Sequence, residues 1–350
     1  MPTHVTIDGT KFFINGSPTY AGTPVEGLLF NSRMIQAIFD DACPVTVGHW
    51  AYPDTGTWDP DRNTDEFCAA LPQYRAHGLL GVTVGLQGGG ADFAPAIYNH
   101  YRNTAFEPDG DLKPAYIDRL GRVLQAADDA GMVVIVNYFY WKQVLHYSDE
   151  ALLRAADNTT LWLLRSGHRN ILVDLANEAS TNWKSTLFHP DRVHHAIRRV
   201  QGITYEGRRL PVGCSCNGGD ALSEGAWLET EDFCLPHGNG LTPEALAAKL
   251  RRLKATPAYV KAPKPIVVNE DSVFVENLDA AVGEGCSWGF YCQGYGSNYK
   301  DRMDWTGRGR EGRHEELSGY QMVPTNWGIN TAIKRAFFDR VKALTGGGAC

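Results

Sequence analysis

The chain of 350 residues contains no apolar run that approaches the roughly 18–20 residues of a membrane-spanning helix. It also lacks a surplus of basic residues, because 33 Lys and Arg stand against 40 Asp and Glu, a formal net charge of −7. An acidic balance disfavours a surface for nucleic acid or anionic lipid and is compatible with a neutral ligand. We therefore expect no nucleic acid and no membrane among the partners, and the oligomeric state stays open.

The cysteines lack the spacing of a redox or metal motif. There are eight of them, and none forms a Cys-x-x-Cys pair. Several fall inside predicted strands, where a thiol behaves as a small apolar residue. We favour reduced thiols in a cytoplasmic protein, with disulfides or zinc as the alternatives. Residues 1–4 show no basic segment followed by an apolar one, so no signal peptide is visible, although a removed signal would make the protein secreted.

Motifs for metal or phosphate are incomplete. The acidic run 59–65 has the spacing of a calcium loop, but Thr64 stands where that loop requires glycine. The glycine run 88–90 lacks the Lys-Ser/Thr of a phosphate loop. His194 and His195 are adjacent on a predicted helix, so their side chains do not share a face. We expect no metal and no organic cofactor.

Strand and helix patterns alternate along the chain. The predicted strands are 34–39, 79–86, 132–140, 171–178, 210–217, 232–237, 265–270 and 286–292. The predicted helices are 64–77, 114–130, 149–165, 190–200, 243–253, 276–282 and 330–344. In the helix 243–253 we assign Lys249 to the cations near the C-terminal end, where positive charge complements the helix dipole.

The strands are apolar throughout, as parallel strands buried on both faces are. Eight βα units predict an α/β fold, a (β/α)₈ TIM barrel, in which the active site lies at the carboxyl ends of the strands. A doubly wound sheet is the alternative, but it requires a glycine-rich turn after the first strand, where this chain has the acidic segment 40–43. We expect one catalytic domain over 1–350, with an N-terminal β-hairpin at 1–22 on the barrel floor and a flexible tail at 345–350.

Two glutamates end short apolar strands and say most about function. Asn177-Glu178 ends one strand, and Asn269-Glu270 ends another. A carboxylate at a buried strand tip does not serve as core filling, because it either finds partners or becomes protonated. Two such tips predict two carboxyl groups that meet over one substrate bond.

Other predicted strand tips carry acids, amides, a histidine and aromatic rings. The candidates for substrate binding are Asp40, Asp41, Tyr138, Trp141, Asn217, His237 and Trp288. Flat rings stack on the C–H faces of a sugar, while acids and amides bind its hydroxyls, so the rim suits a carbohydrate. The less specific alternatives remain: Trp288 as plain core, Tyr138 and Trp141 as packing under a loop, and His237 as a structural histidine.

At this point the chain resembles clan A of the glycoside hydrolases. The resemblance depends on Asn177-Glu178 after strand four, Glu270 at the tip of strand seven and Trp288 on strand eight. The segment 13–18, Phe-Ile-Asn-Gly-Ser-Pro, is similar to openings seen in that clan. The match is an ordered set of positions along the barrel and identifies no individual family.

The resemblance implies a role for each matching residue. Glu178 would be the general acid/base and Glu270 the nucleophile. Asn177 would bind the sugar 2-hydroxyl, Trp288 would floor the subsite for the cleaved sugar, and His237 would lie near the nucleophile. One departure concerns strand six, where many clan members carry a tyrosine on the nucleophile and this chain has His-Gly-Asn-Gly at 237–240.

We therefore predict retaining hydrolysis of a glycosidic bond, which requires two carboxyl groups about 5–5.5 Å apart. Two alternatives stay open. In the first, the chain is an inactive barrel that binds sugar. In the second, it is a metal-dependent hydrolase that uses His237, Asp40 and a strand-tip acid. A structural role is the alternative for Glu178, in which it forms an ion pair with an arginine such as Arg33. The sugar, the anomer and exo or endo action are not fixed by the sequence.

Overall fold

The protein is seen in a computed structural model that describes residues 2–88, 101–181, 183–292, 313–317, 319–321 and 323–346. The strands in this part are β1 (Val5–Asp8), β2 (Lys11–Ile14), β3 (Ser17–Pro18), β4 (Asn31–Arg33), β5 (Gly81–Gly85), β6 (Val133–Tyr140), β7 (Ile171–Asn177), β8 (Val212–Gly213), β9 (Ser215–Cys216), β10 (Leu235–Pro236), β11 (Val267–Val268) and β12 (Ser287–Phe290). The helices are α1 (Pro60–Ala76), α2 (Pro114–Asp129), α3 (Asp149–Arg165), α4 (Val193–Gly202), α5 (Gly225–Thr230), α6 (Pro243–Lys254), α7 (Pro257–Lys261), α8 (Val275–Gly283) and α9 (Ala332–Thr345).

The strands from β4 to β12 form a closed parallel ring. Seven strands are paired in the order β11-β12-β4-β5-β6-β7-β8. β8 and β9 are two short segments of the same barrel strand, and β9 pairs with β10. A parallel bridge from Cys234 to Ile266 joins β10 to β11 and completes the circle. The α/β barrel is thereby confirmed, and a doubly wound sheet is excluded because such a sheet is open.

The first barrel strand lies earlier than predicted. β4 ends at Arg33, and the predicted strand 34–39 is a series of buried turns, with Ala37 N–H donating to Met34 O and Phe39 N–H donating to Gln36 O. The apolar residues of this segment misled the assignment, because burial of a turn produces the same pattern as burial of a strand. The error matters for the site, since it moves Arg33 to the tip of the first strand.

Local sequence explains where the best-predicted helices begin. Ser148 accepts a hydrogen bond from Ala151 N–H at the start of α3, and Thr242 does the same for Ala245 N–H at the start of α6. Such caps satisfy backbone donors that the first helical turn leaves without partners. The helices α5 and α7 were not predicted from the sequence, because each spans only five or six residues and shows little periodicity.

The N-terminal segment covers the floor of the barrel. β1, β2 and β3 form an antiparallel sheet. Val5 N–H donates to Arg169 O, just before β7, at 3.0 Å. The ring of Phe12 packs edge-on against Phe233, with 6.2 Å between ring centroids. Because both contacts lie at the amino ends of barrel strands, the opposite end carries the candidate site.

Three other expectations concern thiols, membranes and the tail. The described cysteines are all free thiols, and Cys350 lies outside the described residues. In the described part of the chain, no helix combines the length and hydropathy of a membrane span. The predicted tail 345–350 begins inside α9, because Thr345 is its last helical residue. Residues 347–350 lie outside the described part, and the single-domain organisation stays a prediction.

Candidate active site

The side chains of Glu178 and Glu270 meet at the carboxyl end of the barrel, beside His237. Nδ1 of His237 lies 3.1 Å from Oε1 of Glu178 and 3.6 Å from Oε2 of Glu270. One oxygen of each carboxyl group and this nitrogen all lie within 4.8 Å of one another. The structure thus brings together the two acids that the sequence singled out, which are distant along the chain.

The backbone at Glu178 turns sharply as β7 ends. Its φ is +59°, in the left-handed region that residues other than glycine rarely adopt. The turn is held by Ser215 Oγ, which accepts from Glu178 N–H at 3.0 Å, and by Trp183 Nε1, which donates to Glu178 O at 2.9 Å. Strict alternation would send Asn177 and Glu178 to opposite faces of the strand. The left-handed residue instead lets both side chains reach the site, and such strain is often found at functional positions.

An arginine and an asparagine hold the carboxylate of Glu270 from different strands. Arg33 Nε, at the tip of β4, lies 2.7 Å from Oε2, and Asn239 Nδ2, just after β10, donates to Oε1 at 3.0 Å. The side chains of Arg33 and Glu270 are 2% and 7% exposed. Each oxygen therefore has a partner of its own, and the carboxylate is fixed in one orientation. The contact with Arg33 is a buried ion pair, and the contact with Asn239 is a hydrogen bond to a charged acceptor, which is a strong type of hydrogen bond.

Arg33 also connects the nucleophile candidate to Asn177. Its second terminal nitrogen donates to Asn177 Oδ1 at 2.5 Å. Since that oxygen accepts from Arg33, the amide nitrogen of Asn177 faces away from the arginine. Arg33 forms its ion pair with Glu270, so the structural ion pair between Arg33 and Glu178 that the sequence offered as an alternative is wrong.

His237 is a neutral side chain in this setting. It is fully buried, and burial lowers its pKa to about 3, against the opposing effect of the charge on Glu270. A neutral imidazole carries one proton on one of its two nitrogens. His237 therefore accepts from or donates to the carboxyl of Glu178 without bringing a positive charge into the site.

Glu178 has the environment of an acid that keeps its proton. Burial raises its pKa above the usual value, while the charges of Arg33 and Lys249 act in the opposite direction. Its side chain is still 21% exposed, so a ligand is able to reach the carboxyl. Glu270, in contrast, is paired with a guanidinium. The two acids thus occupy unlike environments, which is how enzymes assign different roles to two carboxyl groups.

Two predicted aromatic ligands point away from the site. Trp288 is fully buried between the barrel and α9, where its ring lies 5.9 Å from that of Phe337, and its Nε1 donates to Asp271 Oδ2 at 2.6 Å. Tyr138 is also fully buried, and its hydroxyl lies 3.2 Å from Thr160 Oγ1 in α3. Both predictions of a substrate contact are wrong, because the strand alternation directs these side chains into the helix layer.

The remaining predicted residues occupy the loops around the rim. Asp41 is buried, and its carboxylate accepts from Trp50 Nε1 at 2.7 Å and from Arg102 N–H at 2.7 Å. Its oxygens therefore organise the loop, which corrects its assignment as a sugar ligand. Asp40 pairs with Arg119 at 3.1 Å and keeps 29% exposure.

Asn217 and Trp141 complete the rim. The side chain of Asn217 accepts from Thr181 Oγ1 and does not contact either glutamate. Trp141 is half-buried beside Tyr140, with 5.9 Å between ring centroids. Sugar binding by Asp40, Asn217 and Trp141 stays a prediction.

Sequence reasoning missed several residues at the centre of the site. Arg33 was named only as a structural partner of Glu178, because the misplaced first strand concealed its position at a strand tip. Asn239 was missed because it lies in a glycine-flanked loop. Tyr291 follows β12 and lies beside Arg33, with the guanidinium carbon 5.7 Å from its ring centroid. Burial and the charge of Glu270 raise the pKa of Tyr291 well above its usual value, so its phenol stays neutral.

Asp174 lies deeper in the barrel, below the two glutamates. It is fully buried, and burial raises its pKa to about 6. Its carboxyl accepts from Asn137 Nδ2 and from Ser215 N–H, both at 2.9 Å. These contacts join β6, β7 and β9 beneath the site, so Asp174 supports the strand tips that carry the acids.

Glu178, His237 and Glu270 also form a group whose ligand atoms are close enough to surround a metal ion. The guanidinium of Arg33 lies 2.7 Å from one of these oxygens, and a positive charge in that position opposes the binding of a cation. Asp40, which the metal-dependent alternative requires, is paired with Arg119 instead. The donor set therefore fits a metal poorly.

Comparison with known proteins relates the chain to others by structure alone. No protein-family model matches the sequence. No curated protein matches it either. A GH5-4 broad-specificity endoglucanase from Clostridium longisporum superposes with a TM-score of 0.53 at 9% identity, over 94% of this chain and 99% of that one.

Two further solved structures are similar at the same level. An exo-β-1,4-mannosidase from an Opitutaceae bacterium has a TM-score of 0.51 and 16% identity, over 96% of this chain and 63% of that one. A glycoside hydrolase family 5 enzyme from Prevotella bryantii, solved with a xyloglucan tetradecasaccharide, has a TM-score of 0.51 and 10% identity, over 83% of this chain and 93% of that one. At such identities the likeness concerns the fold, and on that level the resemblance to clan A glycoside hydrolases is confirmed: this chain has their fold.

Proposed function

We propose that the protein is a retaining glycoside hydrolase, with Glu178 as general acid/base and Glu270 as nucleophile. The observation that carries the proposal is the proximity of two carboxyl groups in unlike environments at the carboxyl end of a (β/α)₈ barrel. One oxygen of each carboxyl group lies within 4.8 Å of the other. Retaining enzymes hold their two carboxyl groups roughly 5–5.5 Å apart and inverting enzymes about 6.5–9.5 Å apart, so this close approach favours the retaining mechanism.

In the first step Glu270 attacks the anomeric carbon, and the bond from that carbon to the leaving oxygen breaks. Glu178 gives its proton to that oxygen, so the leaving group departs as a neutral alcohol. Arg33 and Asn239 hold the attacking carboxylate in place. Because the carboxylate is already desolvated and oriented, little reorganisation is needed when it attacks.

The second step releases the sugar from Glu270. The ester has no negative charge, so the loss of that charge favours ionisation of Glu178. Glu178 then takes a proton from a water molecule, which attacks the anomeric carbon and frees Glu270 as a carboxylate. Two inversions at the same carbon give net retention.

The substrate is a carbohydrate in this proposal, and Asn177 is placed to bind it. Its oxygen accepts from Arg33, which leaves the amide N–H groups for a hydroxyl of the sugar in the cleaved subsite. Two similar structures are an endoglucanase and an exo-β-1,4-mannosidase, so β-linked glucosides and mannosides are the first substrates to test. Fold likeness by itself does not transfer a substrate.

The test is hydrolysis of a panel of aryl β-glycosides and β-linked glycans, with the anomer of the first product read by NMR. We expect activity with retained configuration. Glu178→Gln and Glu270→Gln should each lower kcat by at least about a thousandfold without a change in the melting temperature beyond a few degrees. Inverted product, or a Glu270→Gln variant with most of its activity, would overturn the proposal. Binding of a glycan without turnover would instead support the inactive sugar-binding barrel.

A further inference from the structure

Lys249 lies behind the candidate site in a position where the helix pattern calls for an apolar residue. In α6 it shares the buried face with Leu246, Leu250 and Leu253, and it is fully buried. The sequence had assigned it to the cations at the helix end, which is wrong, because the i, i+3 and i+4 spacing turns it toward the barrel. Burial of an ammonium group is unfavourable, so its presence in this layer calls for an explanation.

The ammonium group of Lys249 joins the tips of two barrel strands. Nζ donates to His237 O at 2.7 Å and to Asn217 O at 3.0 Å. His237 follows β10 and Asn217 follows β9. In the part of the chain that the structure describes, no carboxylate forms an ion pair with Lys249, so its positive charge is balanced only by carbonyl dipoles and more distant acids.

Both residues held by Lys249 touch the surroundings of Glu178. The ring of His237 contacts Oε1 of Glu178, and the side chain of Asn217 accepts from Thr181, whose own N–H donates to Glu178 O. We propose that Lys249 is a positioning residue, an inference that rests on the proposed glycosidase function. Its buried ammonium group fixes the carboxyl ends of β9 and β10 and so holds the proton-donating carboxyl of Glu178 against His237.

The charge of Lys249 has a second consequence at Glu178. Among the residues that the structure describes, the titratable or charged groups that interact with this carboxyl include Arg33, Tyr140, Cys216, His237, Lys249, Glu270 and Tyr291. The phenols and the thiol are neutral near pH 7, because burial raises each pKa, that of Cys216 to about 11, and His237 is neutral as well. Arg33 is paired with Glu270. Within the described ranges, Lys249 is therefore a cation near Glu178 that forms no ion pair with a carboxylate.

The sign of the effect follows from this arrangement. A positive charge favours the ionised carboxyl and lowers the pKa of Glu178 against the larger effect of burial. Removal of the charge leaves Glu178 protonated to higher pH. In the proposed reaction the first step needs the protonated form, so the basic limb of the pH profile of kcat/KM should move upward.

The experiment compares Lys249→Gln with a matched lysine elsewhere in the barrel. Lys264 is also buried and also donates to two backbone carbonyls, those of Leu228 and Glu231, but it lies before β11 at the opposite end of the barrel. We expect Lys249→Gln to lower kcat about tenfold and to move the basic limb of the kcat/KM profile upward by on the order of half a pH unit. Lys264→Gln should lower the melting temperature and leave the pH profile unchanged.

Each outcome decides a different point. Unchanged kcat and an unchanged basic limb in folded Lys249→Gln, while Glu178→Gln is inactive, would overturn the role of Lys249 and leave the glycosidase proposal standing. A wild-type protein without activity on any glycan of the panel would remove the proposed function itself. Should Lys249→Gln not fold, Lys249→Met offers the same test with an apolar stem of similar length. If neither neutral variant folds, Lys249 is structural and the inference is wrong.

Discussion

Arg33 Nε lies 2.7 Å from Oε2 of Glu270, in a pair whose side chains are almost completely buried. The arginine comes from the first barrel strand and the glutamate from the end of the seventh, so the pair forms only when β11 and β12 pack beside β4. Because the pair is buried, loss of one partner leaves an uncompensated charge inside the protein, which is strongly destabilising. The pair also holds the carboxylate of the proposed nucleophile in place before any substrate arrives.

We expect Arg33→Lys to lower kcat/KM by on the order of a hundredfold. A lysine supplies one point of charge and lacks the planar guanidinium that forms an ion pair with Glu270 while it donates to Asn177. Arg33→Met removes the charge as well and should destabilise the protein by about 3–5 kcal/mol, because Glu270 is then buried without a cation. Urea denaturation and steady-state kinetics measure the two effects. Near-normal activity in Arg33→Lys would contradict the proposed holding of the nucleophile.

A pH prediction follows from the environment of Glu178. Its pKa is raised in the folded protein, so the protonated form persists above the usual range of a glutamate, and activity should be lost as the pH rises through the folded-state pKa. The basic limb of kcat/KM should therefore lie above about 4.5, the ordinary pKa of a glutamate. An aryl glycoside whose leaving group needs no protonation is the control, since its basic limb should weaken or vanish. If the basic limb of kcat/KM is the same with both substrates, it reports the ionisation of a group other than Glu178.

Asn239 is the second residue that holds Glu270, the proposed nucleophile. It lies in the strand-six region, where the resemblance leads one to expect a tyrosine. Its Nδ2 donates to Glu270 Oε1 at 3.0 Å. Asn239→Ala should lower kcat about tenfold to a hundredfold, because a hydrogen bond to a charged group contributes about 1.5–3 kcal/mol. Asn239→Asp should be worse, since it places a like charge beside Glu270.

Asn170→Ala is the matched control for Asn239. Asn170 is a fully buried amide before β7 that donates to Met132 O at 3.0 Å, away from the two glutamates. Its loss should reduce the free energy of unfolding and leave kcat unchanged. If Asn239→Ala behaves like Asn170→Ala, the contact with Glu270 is structural only.

Trp288 and Trp141 should respond in opposite ways to substitution. Trp288→Phe removes the indole N–H that donates to buried Asp271, so the free energy of unfolding should fall by about 1–3 kcal/mol with KM unchanged. Trp141→Ala, on the predicted rim, should raise KM for a glycan with little loss of stability. Thermal unfolding and KM for the same substrate separate the two. A raised KM in Trp288→Phe would restore that ring as a substrate contact.

Local patterns in the sequence predicted most of the fold. Apolar strands followed by capped helices, such as α3 after Ser148 and α6 after Thr242, identified the βα repeat and hence the barrel. The two strand-tip glutamates were found in the same way, because a carboxyl group after a buried strand conflicts with its surroundings. Such conflicts between residue type and environment are visible without any knowledge of tertiary contacts.

The direction of side chains was less accessible. Trp288 and Tyr138 point into the helix layer because of their register in β12 and β6, and a one-residue difference in register reverses the face. The strand-tip position of Arg33 was missed because the buried turns after it imitate a strand. At Glu178 the left-handed backbone breaks the alternation on which a sequence argument depends.

By itself, then, the order of residues determined that eight strands alternate with helices and that Asn177-Glu178 and Asn269-Glu270 end two of them, since both depend on neighbours along the chain. Only ring closure decided that Arg33, Asn239 and His237 surround those acids and that Lys249 lies behind them. These contacts join residues far apart in sequence, and their distances follow from strand register and packing, which no local pattern contains.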